Sequence, residues 1–348
     1  MPERHLVTGG SGYAGSVLVR HLREAGHVVR VLDLCDVDDR PADVEFVGAD
    51  IRDAGAVRRA CVDVDVVHHN VALVPLAKDR DAFWTVNRDG TRNLLDAALR
   101  EGVRKVVHTS SSAVFGVPDR FPVDDATPPR PREDYGRAKL AAEEECANSV
   151  ARGLDVTILR PRTLLGHGRL GIMQVVFEWV RTGCNVPVLG GGGNVYQFLH
   201  VDDFAAASVR AATRPGPRTY NVGAARFGSM RETLDALVRH AGTGSRVVSL
   251  PRRPTEFAMK LTGWLGLSPL GPYHWLMYGE SMAFDLIRAR GELDWDPRYS
   301  NEEMFIESYD WYLAHREALM RSTGTASHHR TVVRSRLLGW VGRGMRWL

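Results

Sequence analysis

The sequence predicts an α/β protein built on a doubly wound parallel sheet, with a smaller C-terminal lobe attached to it. Short β-branched runs alternate with longer amphipathic stretches over the first 160 residues, as in repeated strand–helix–strand units. The short runs are almost continuously apolar, which is typical of strands buried on both faces of a sheet. Gly26 and Gly102 stand just after predicted helices, where the end of a helix favours glycine.

The first domain is placed at residues 1–161, with strands and helices in alternation. The apolar runs that predict its strands are His5–Val7, His27–Leu32, Val44–Val47, Val64–His68, Val103–Thr109 and Val156–Leu159. The amphipathic stretches that predict its helices are Ser16–Ala25, Phe83–Arg100 and Tyr135–Arg152.

Residues 162–320 are predicted to form the smaller lobe, which would bind the substrate. Glycines cluster at residues 190–193, and prolines interrupt the pattern several times. Short apolar runs predict strands in this lobe near Val186–Leu189, Phe198–Val201 and Tyr220–Val222. We expect the chain to rejoin the first domain at about residues 200–215.

Composition excludes several classes of protein. With 44% hydrophobic and 25% charged residues, the chain is globular rather than disordered or collagen-like. Its four cysteines are far apart and form no C-x-x-C pair, which favours a reducing cytoplasm. The histidines have no metal-binding spacing, so no metal is expected. The chain begins without the apolar stretch of a signal peptide, and no window approaches about 20 consecutive apolar residues.

Residues 321–348 are predicted to form a basic amphipathic tail. The six charged residues after Met320 are all arginines, and without them the chain has 39 basic and 42 acidic residues. Nucleic acid is therefore not expected as a partner. Apolar residues at helical spacing favour a membrane-surface helix over residues 332–348, with docking on protein or disorder as the alternatives.

A glycine-rich turn links the first predicted strand to the first helix. Gly9, Gly12 and Gly15 allow a tight turn, close approach of a pyrophosphate and close helix packing. Asp33 ends the second strand, 18 residues after Gly15, where a carboxylate bonds both ribose hydroxyls and repels a 2′-phosphate. The pattern predicts a Rossmann-type domain that binds NAD rather than NADP; the alternative is a plain glycine loop.

Tyr135 and Lys139 are spaced one helical turn apart, so both side chains lie on the same helix face. A phenol is a poor base at neutral pH, and we expect Lys139 and a positive nicotinamide ring to lower the pKa of Tyr135. Tyr135 would then take a proton from an alcohol while hydride passes to NAD. Ser111 ends the fifth strand, at the sheet edge where ligands bind, and would hold the oxygen.

The sequence resembles the extended short-chain dehydrogenases/reductases of the NAD-dependent epimerase/dehydratase family over residues 1 to about 310. The matching segments are Thr8–Gly15, Asp33, Asp50-Ile51, Val86-Asn87, Gly90-Thr91, Asn93–Leu95, Ser110–Gly116, Tyr135–Lys139, Arg160-Pro161, Gly166, His200–Asp203 and Glu292–Pro297. The resemblance implies a catalytic set, which consists of Ser111, Tyr135 and Lys139. It also implies a homodimer whose interface is formed partly by Tyr135–Arg152.

With this resemblance we expect two further sets of contacts. The residues expected at NAD are Gly9, Gly12, Tyr13, Ala14, Gly15, Asp33, Asp50, Ile51, Val71, Asn87, Ser110, Tyr135, Lys139 and Pro161. The residues expected at the substrate are Ser111, Ser112, Thr163, Gln174 and Tyr196.

Two positions restrict which reactions and substrates of the family this chain could have. Family members that dehydrate or decarboxylate resemble one another in placing a carboxylate where this chain has Ala113, so epimerisation or net oxidation or reduction remains. Epimerases of the UDP-galactose type hold the pyrophosphate with an arginine where this chain has Tyr196. Either another arginine replaces it, or the substrate is not a free nucleotide sugar. The candidate replacements are Arg162, Arg169 and Arg210.

We therefore expect an NAD-dependent sugar epimerase that acts at C4 of a nucleotide-linked hexose or hexuronate through a transient 4-keto intermediate. The alternative is a net dehydrogenase or reductase of a hydroxysteroid-like or lipid-linked alcohol. Tyr196 and the aromatic residues crowded over 257–278 favour the alternative, although those aromatics would equally form the lobe core. A nucleotide-sensing scaffold without turnover is disfavoured by the intact set of Ser111, Tyr135 and Lys139.

Overall fold

The computed structural model describes residues 2–74, 80–264, 276–321 and 344. Seven strands form one parallel sheet, which confirms the predicted fold class. In chain order these strands are β1 (Arg4–Thr8), β2 (Val28–Asp33), β3 (Glu45–Gly48), β4 (Val66–His69), β5 (Lys105–Thr109), β6 (Val156–Pro161) and β11 (Arg218–Val222).

The order of strands across the sheet is β11-β6-β5-β4-β1-β2-β3. The chain therefore runs outward from β1 in one direction and then continues from β4 in the other, so the topology reverses between these two strands. Thr8 of β1 is aligned with His69 of β4 at the carboxyl ends of both strands. Ligands of such sheets bind in the crevice at this reversal point.

Helices cover both faces of the sheet. They are α1 (Tyr13–Glu24), α2 (Ala54–Cys61), α3 (Arg80–Ala82), α4 (Gly90–Arg100), α5 (Asp134–Ala151) and α7 (Val201–Thr213). Helices α2, α4 and α5 pack together on one face, and α1 packs against α7 on the other. Because each face is covered, the strands carry the continuous apolar runs seen in the sequence.

The helix predicted over Phe83–Arg100 is not regular along its whole length. Instead of one uninterrupted α-helix over Phe83–Arg100, the chain forms a π-helical stretch, Phe83–Asp89, between α3 and α4. This wider stretch carries the Phe83 ring against Tyr135, with 6.1 Å between the ring centroids. The irregular stretch thus lies against a residue of the predicted catalytic set.

The prediction that Tyr220–Val222 is a strand of the lobe is wrong. This segment lies in β11, which pairs with β6 at the edge of the main sheet. The run predicted as a strand over Phe198–Val201 ends at His200, because Val201 begins α7 and the His200 side chain accepts a hydrogen bond from the Asp202 N–H. An apolar run predicts a strand but carries no information about the sheet that it joins.

Within the described residues, the lobe consists of short strand pairs and four helices around a separate core. The strands are β7 (Thr163–Leu165), β8 (Val186–Leu189), β9 (Val195–Tyr196), β10 (Phe198–His200), β12 (Gly228–Ser229) and β13 (Val247–Leu250). The helices are α6 (Ile172–Arg181), α8 (Met230–Ala241), α9 (Arg252–Trp264) and α11 (Asn301–Arg321), while α10 (Ile287–Leu293) packs beside β11. The lobe core is rich in aromatic side chains, among them Phe177, Phe198, Phe305, Tyr309 and Tyr312.

Some sequence predictions fall outside the described residues. They concern most of the tail over residues 321–348 and the part of the aromatic-rich stretch at residues 265–275. Among the helices that the structure describes, none is both long and apolar enough to cross a membrane.

Candidate active site

The glycine turn lies where β1 ends and α1 begins. Gly9 has a positive φ of 71°, a conformation that favours glycine. A Cβ on Gly15 would lie 2.0 Å from the Gly9 carbonyl oxygen, so helix and turn are in direct backbone contact. Gly12 caps α1 without a side chain over the free N–H groups of the first turn. This arrangement suits a pyrophosphate group.

Asp33 ends β2 and faces the same turn. Its carboxylate accepts hydrogen bonds from the Ser11 N–H at 3.0 Å and from the Leu34 N–H at 2.8 Å. Burial raises the pKa of Asp33, while these backbone hydrogen bonds act in the opposite direction. The position and charge suit the hydroxyl groups of an adenosine ribose.

One cavity of about 1790 Å³ begins at the glycine turn, passes Ser111 and Tyr135, and extends into the lobe. It brings together almost every residue that the sequence predicted for cofactor and substrate. Those that line it are Gly9, Gly12, Tyr13, Ala14, Gly15, Asp33, Asp50, Ile51, Val71, Ser110, Ser111, Ser112, Tyr135, Lys139, Pro161, Thr163 and Tyr196. The residues therefore fit a dinucleotide whose nicotinamide end reaches Tyr135.

Two predicted contact residues do not line this cavity. The Asn87 side chain is buried and instead forms two hydrogen bonds with the backbone of Leu73, which does line it. Gln174 is also buried, and it lowers the pKa of Tyr312 in the lobe core. Asn87 thus supports the cavity wall, and Gln174 belongs to the core.

Ser111, Tyr135 and Lys139 meet at the carboxyl edge of the sheet. Ser111 follows β5 and caps the short helix Ser112–Phe115, while Tyr135 and Lys139 lie on the first turns of α5. The Ser111 hydroxyl lowers the pKa of the Tyr135 phenol, against the effect of burial. Lys139 Nζ donates to the Thr109 carbonyl oxygen at 2.8 Å, which fixes it against the end of β5.

The expectation that Lys139 lowers the pKa of Tyr135 is wrong for the protein groups by themselves. Burial raises the pKa of Tyr135 to about 12, and the group that acts against burial is the Ser111 hydroxyl. Burial also lowers the pKa of Lys139 to about 8, against the field of the Glu143 carboxylate. At neutral pH the protein therefore holds Tyr135 as a phenol and Lys139 mainly as an ammonium group.

Glu143 hydrogen-bonds to two side chains next to the site, although the sequence analysis did not identify it. It accepts a hydrogen bond from the Ser110 hydroxyl at 2.5 Å and two from the Arg160 guanidinium, at 2.9 and 2.5 Å. Glu143 stands one turn after Lys139 on α5, so the spacing that relates Tyr135 to Lys139 continues to a third residue. This repeated spacing of four residues is the feature of the sequence from which Glu143 could have been predicted.

Two buried arginines, Arg162 and Arg169, line the cavity. Thr163 and Tyr196 share a hydrogen bond of 2.9 Å between their hydroxyl groups. The Arg162 guanidinium lies 4.5 Å from the centroid of the Tyr196 ring. The Arg169 guanidinium lies 5.4 Å from the Tyr13 ring, near the glycine turn, and burial lowers its pKa to about 10.

Arg210, the third arginine proposed for the pyrophosphate, lies elsewhere. It is exposed and pairs with Asp294 on the surface. Among the described residues, Glu3, His5 and His27 could hold a metal ion. Glu3 and His5 lie at the amino end of β1 and His27 directly precedes β2, at the opposite end of these strands from the glycine turn.

Comparison with known proteins gives a consistent result. The profile of the NAD dependent epimerase/dehydratase family matches residues 5–223. The uncharacterized protein y4nG of Sinorhizobium fredii is 51% identical over 342 residues, covering 98% of this chain and 86% of that protein. A UDP-glucose 4-epimerase of Mycolicibacterium smegmatis is 31% identical over 333 residues, covering 89% of this chain and 98% of the enzyme.

Two further proteins are similar to this chain. Sterol demethylase protein B of Methylococcus capsulatus is 37% identical over 168 residues, which cover 46% of this chain and 51% of that protein. The solved structure of MoeE5 in complex with UDP-glucuronic acid and NAD has a TM-score of 0.73 at 25% identity, covering 89% of this chain and 99% of MoeE5.

Proposed function

Because this chain belongs to the NAD-dependent epimerase/dehydratase family, we propose that it is a sugar epimerase that inverts C4 of a nucleotide-linked hexose or hexuronate. The observation that carries the proposal is the meeting of Ser111, Tyr135 and Lys139 in the same cavity as the glycine turn. The reaction would proceed through a transient 4-keto sugar that presents its other face before it is reduced again.

The cofactor would lie along the first half of the cavity. The glycine turn would hold the pyrophosphate, Asp33 the adenosine ribose, and Asp50 and Ile51 the adenine side. When bound, NAD supplies a hydride acceptor and donor, and its positive ring favours ionisation of a nearby phenol. That positive charge would offset the burial that raises the pKa of Tyr135.

Three side chains would act on the sugar or hold the groups that do. Tyr135 Oη would take the proton of the C4 hydroxyl and return it after inversion. Ser111 Oγ, which lowers the pKa of that phenol, would donate a hydrogen bond to the C4 oxygen. Lys139 would hold the nicotinamide ribose, while its bond to Thr109 keeps it in place.

Ala113 limits the chemistry. It is buried and packs against Tyr135 and Phe83. A methyl group cannot donate or accept a proton, so the site has no acid or base at the position that dehydration or decarboxylation would use. Epimerisation needs no third proton-transfer group.

The proposal is tested by incubating the enzyme with a panel of UDP- and dTDP-linked hexoses and hexuronates and with substoichiometric NAD. Chromatography should detect a new product of unchanged mass. Tyr135→Phe should lower kcat by about 10²- to 10⁴-fold without weakening NAD binding, because it removes only the proton-transferring hydroxyl. Near-full turnover by Tyr135→Phe would remove the central residue of the proposal.

A second candidate function is net NAD-dependent oxidation of a hydroxysteroid-like or lipid-linked alcohol. Its support is the apolar lining of the lobe half of the cavity, together with the partial similarity to sterol demethylase protein B. Among the lining side chains are Val175, Val186, Leu189, Met230, Leu234, Met259 and Phe305. This function predicts one NADH for each alcohol consumed, whereas an epimerase accumulates none.

We also propose that the enzyme is a cytoplasmic homodimer whose interface is formed partly by α5. Light scattering should then give twice the 38.6 kDa mass of one chain. A membrane-surface contact through residues 332–348 stays a proposal, which sedimentation of the full chain with anionic vesicles tests.

A further inference from the structure

Glu3, His5 and His27 form a cluster of potential metal ligands at the amino ends of β1 and β2. Glu3 and His5 are two residues apart along β1, so their side chains lie on the same face of the sheet. Strands β1 and β2 are paired from Arg4 and Val28 onward, which places Glu3 beside His27. One nitrogen or oxygen atom of each of the three side chains lies within 4.8 Å of the other two.

The His5 imidazole has a buried nitrogen that faces a carboxylate without bonding to it. The residue is only 2% exposed, and among the described residues its Nε2 has no hydrogen-bond partner. Glu3 Oε2 lies 3.6 Å from this nitrogen, which is too far for a hydrogen bond. A tetrahedral zinc ion, about 2.0–2.1 Å from each ligand, holds its ligand atoms about 3.3 Å apart. The gap between His5 and Glu3 therefore fits an ion better than a direct bond.

The second nitrogen of His5 is held by His68. His5 Nδ1 lies 3.1 Å from His68 Nε2, and the two rings stack with their centroids 5.3 Å apart. When Nε2 of His5 binds a metal, the ring proton is on Nδ1, from which it donates to His68. Metal-binding histidines usually donate their second N–H to such a partner, which fixes the orientation of the ring. His68 would thus be a positioning residue behind His5.

His27 presents a lone pair to the same place. Its Nδ1 accepts a hydrogen bond from the Glu3 backbone N–H at 3.3 Å, a long bond that ligation would replace. Its ring lies against that of His5, with 4.4 Å between the centroids. Both histidines and the Glu3 carboxylate therefore converge on one point.

We propose that Glu3, His5 and His27 bind one zinc ion at the amino ends of β1 and β2. Two imidazoles and a carboxylate are a zinc donor set, and three protein ligands leave the fourth position to water. Magnesium and calcium prefer oxygen ligands, so they fit this set poorly. The spacing of histidines in the sequence predicted no metal, because these ligands come from two different strands.

The surroundings of the cluster allow an ion to enter. Glu3 and His27 are both partly exposed, so an ion can reach the buried His5 nitrogen by way of these two side chains. Arg104 Nη2 donates to Glu3 Oε1 at 2.6 Å, which leaves Oε2 directed toward His5. Asp65, which accepts a backbone N–H of β1 at 2.8 Å, offsets the positive charge of Arg104 at this end of the sheet.

The position of the site indicates a structural role. At about 3.3 Å per residue, β1 separates His5 from the glycine turn by roughly 13 Å. The ion would touch neither NAD nor substrate, and it would join the start of β1 to the start of β2. An ion that binds only the folded chain stabilises it. Because no step of the proposed reaction passes through this site, the inference does not depend on the proposed function.

The test uses the full chain without a histidine tag, treated with a chelator and then desalted. Isothermal titration with zinc chloride and with magnesium chloride measures binding, and thermal unfolding with and without zinc measures stabilisation. The variants are Glu3→Gln and His27→Gln, which change partly exposed ligands. The matched control is His240→Gln, which removes an exposed histidine paired with Asp310 in the lobe.

We expect the native chain to bind one zinc ion and to prefer zinc to magnesium. His27→Gln should raise the Kd for zinc at least about 100-fold, because loss of even an outer partner of a metal ligand costs about 10- to 100-fold. Glu3→Gln removes the charge but keeps an oxygen, so the Kd should rise at least about 10-fold. Zinc at about 100 times its Kd should raise the native Tm by at least about 3 °C. His240→Gln should behave as the native chain does.

Four outcomes would overturn the inference. The first is a native chain that neither binds zinc nor gains thermal stability from it. The second is equally tight zinc binding by His27→Gln, which would assign the ion to other histidines. The third is magnesium binding as tight as zinc binding, since it would indicate a carboxylate site without imidazole ligands. The fourth is a loss of zinc affinity in His240→Gln as large as that in His27→Gln.

Discussion

Replacing Gly15 by alanine should disrupt the cofactor site by steric conflict with its backbone. The added Cβ would lie 2.0 Å from the Gly9 carbonyl oxygen and 2.8 Å from Gly10 Cα. Non-bonded heavy atoms ordinarily stay about 3.5 Å apart, so α1 must move away from the turn by roughly 1 Å or more. Both obstacles are backbone atoms, so no change of rotamer relieves the conflict.

Two quantities should change in Gly15→Ala. Overpacking of this kind costs about 1–3 kcal/mol of unfolding free energy, measured by urea denaturation. The N–H groups of the turn also move relative to the pyrophosphate, so the Kd for NAD should rise at least about 10-fold, or about 1.4 kcal/mol. Isothermal titration with NAD measures it.

Gly291→Ala is the matched control. Gly291 lies inside α10, and a Cβ there would meet no atom within 4 Å. Alanine should therefore stabilise the protein by about 0.5–1 kcal/mol and leave NAD binding unchanged. If Gly15→Ala binds NAD and resists urea as the native protein does, the close contact between helix and turn is needed neither for NAD binding nor for stability.

The remaining predictions concern charge. Asp33→Asn should shift the ratio of NADP to NAD affinity toward NADP by at least about 10-fold, because it removes the carboxylate that repels a 2′-phosphate; an unchanged ratio in parallel titrations would contradict this role. Glu178 accepts hydrogen bonds from Arg181, Arg316 and Tyr312, which together outweigh burial and lower its pKa to about 2. Glu178→Gln should therefore lose about 1–3 kcal/mol of unfolding free energy at pH 7. That difference in unfolding free energy should persist down to about pH 4.5 and shrink below it, since a lowered carboxyl pKa stabilises the fold only while the carboxyl group is ionised in the unfolded chain. Urea denaturation at a series of pH values measures the difference. Its loss well above pH 4.5 would contradict the prediction.

The sequence by itself determined the features that depend on local spacing. The glycine turn could be identified because Gly9, Gly12 and Gly15 stand between a strand pattern and a helix pattern. Tyr135 and Lys139 could be paired because residues four apart share a helix face. The fold class followed from the alternation of continuous apolar runs with amphipathic stretches, and the seven-stranded parallel sheet confirms it.

Only the tertiary structure decided which sheet a strand joins and what surrounds each charge. Tyr220–Val222 lies beside β6, more than 50 residues earlier, and no local pattern records that pairing. Burial, which depends on the whole fold, raises the pKa of Tyr135 as far as the protein groups by themselves are concerned. Asn87 turned out to support Leu73, whereas Arg162 lies among neutral groups beside Ser112. These outcomes are set by contacts between residues distant in sequence, which residue spacing does not encode.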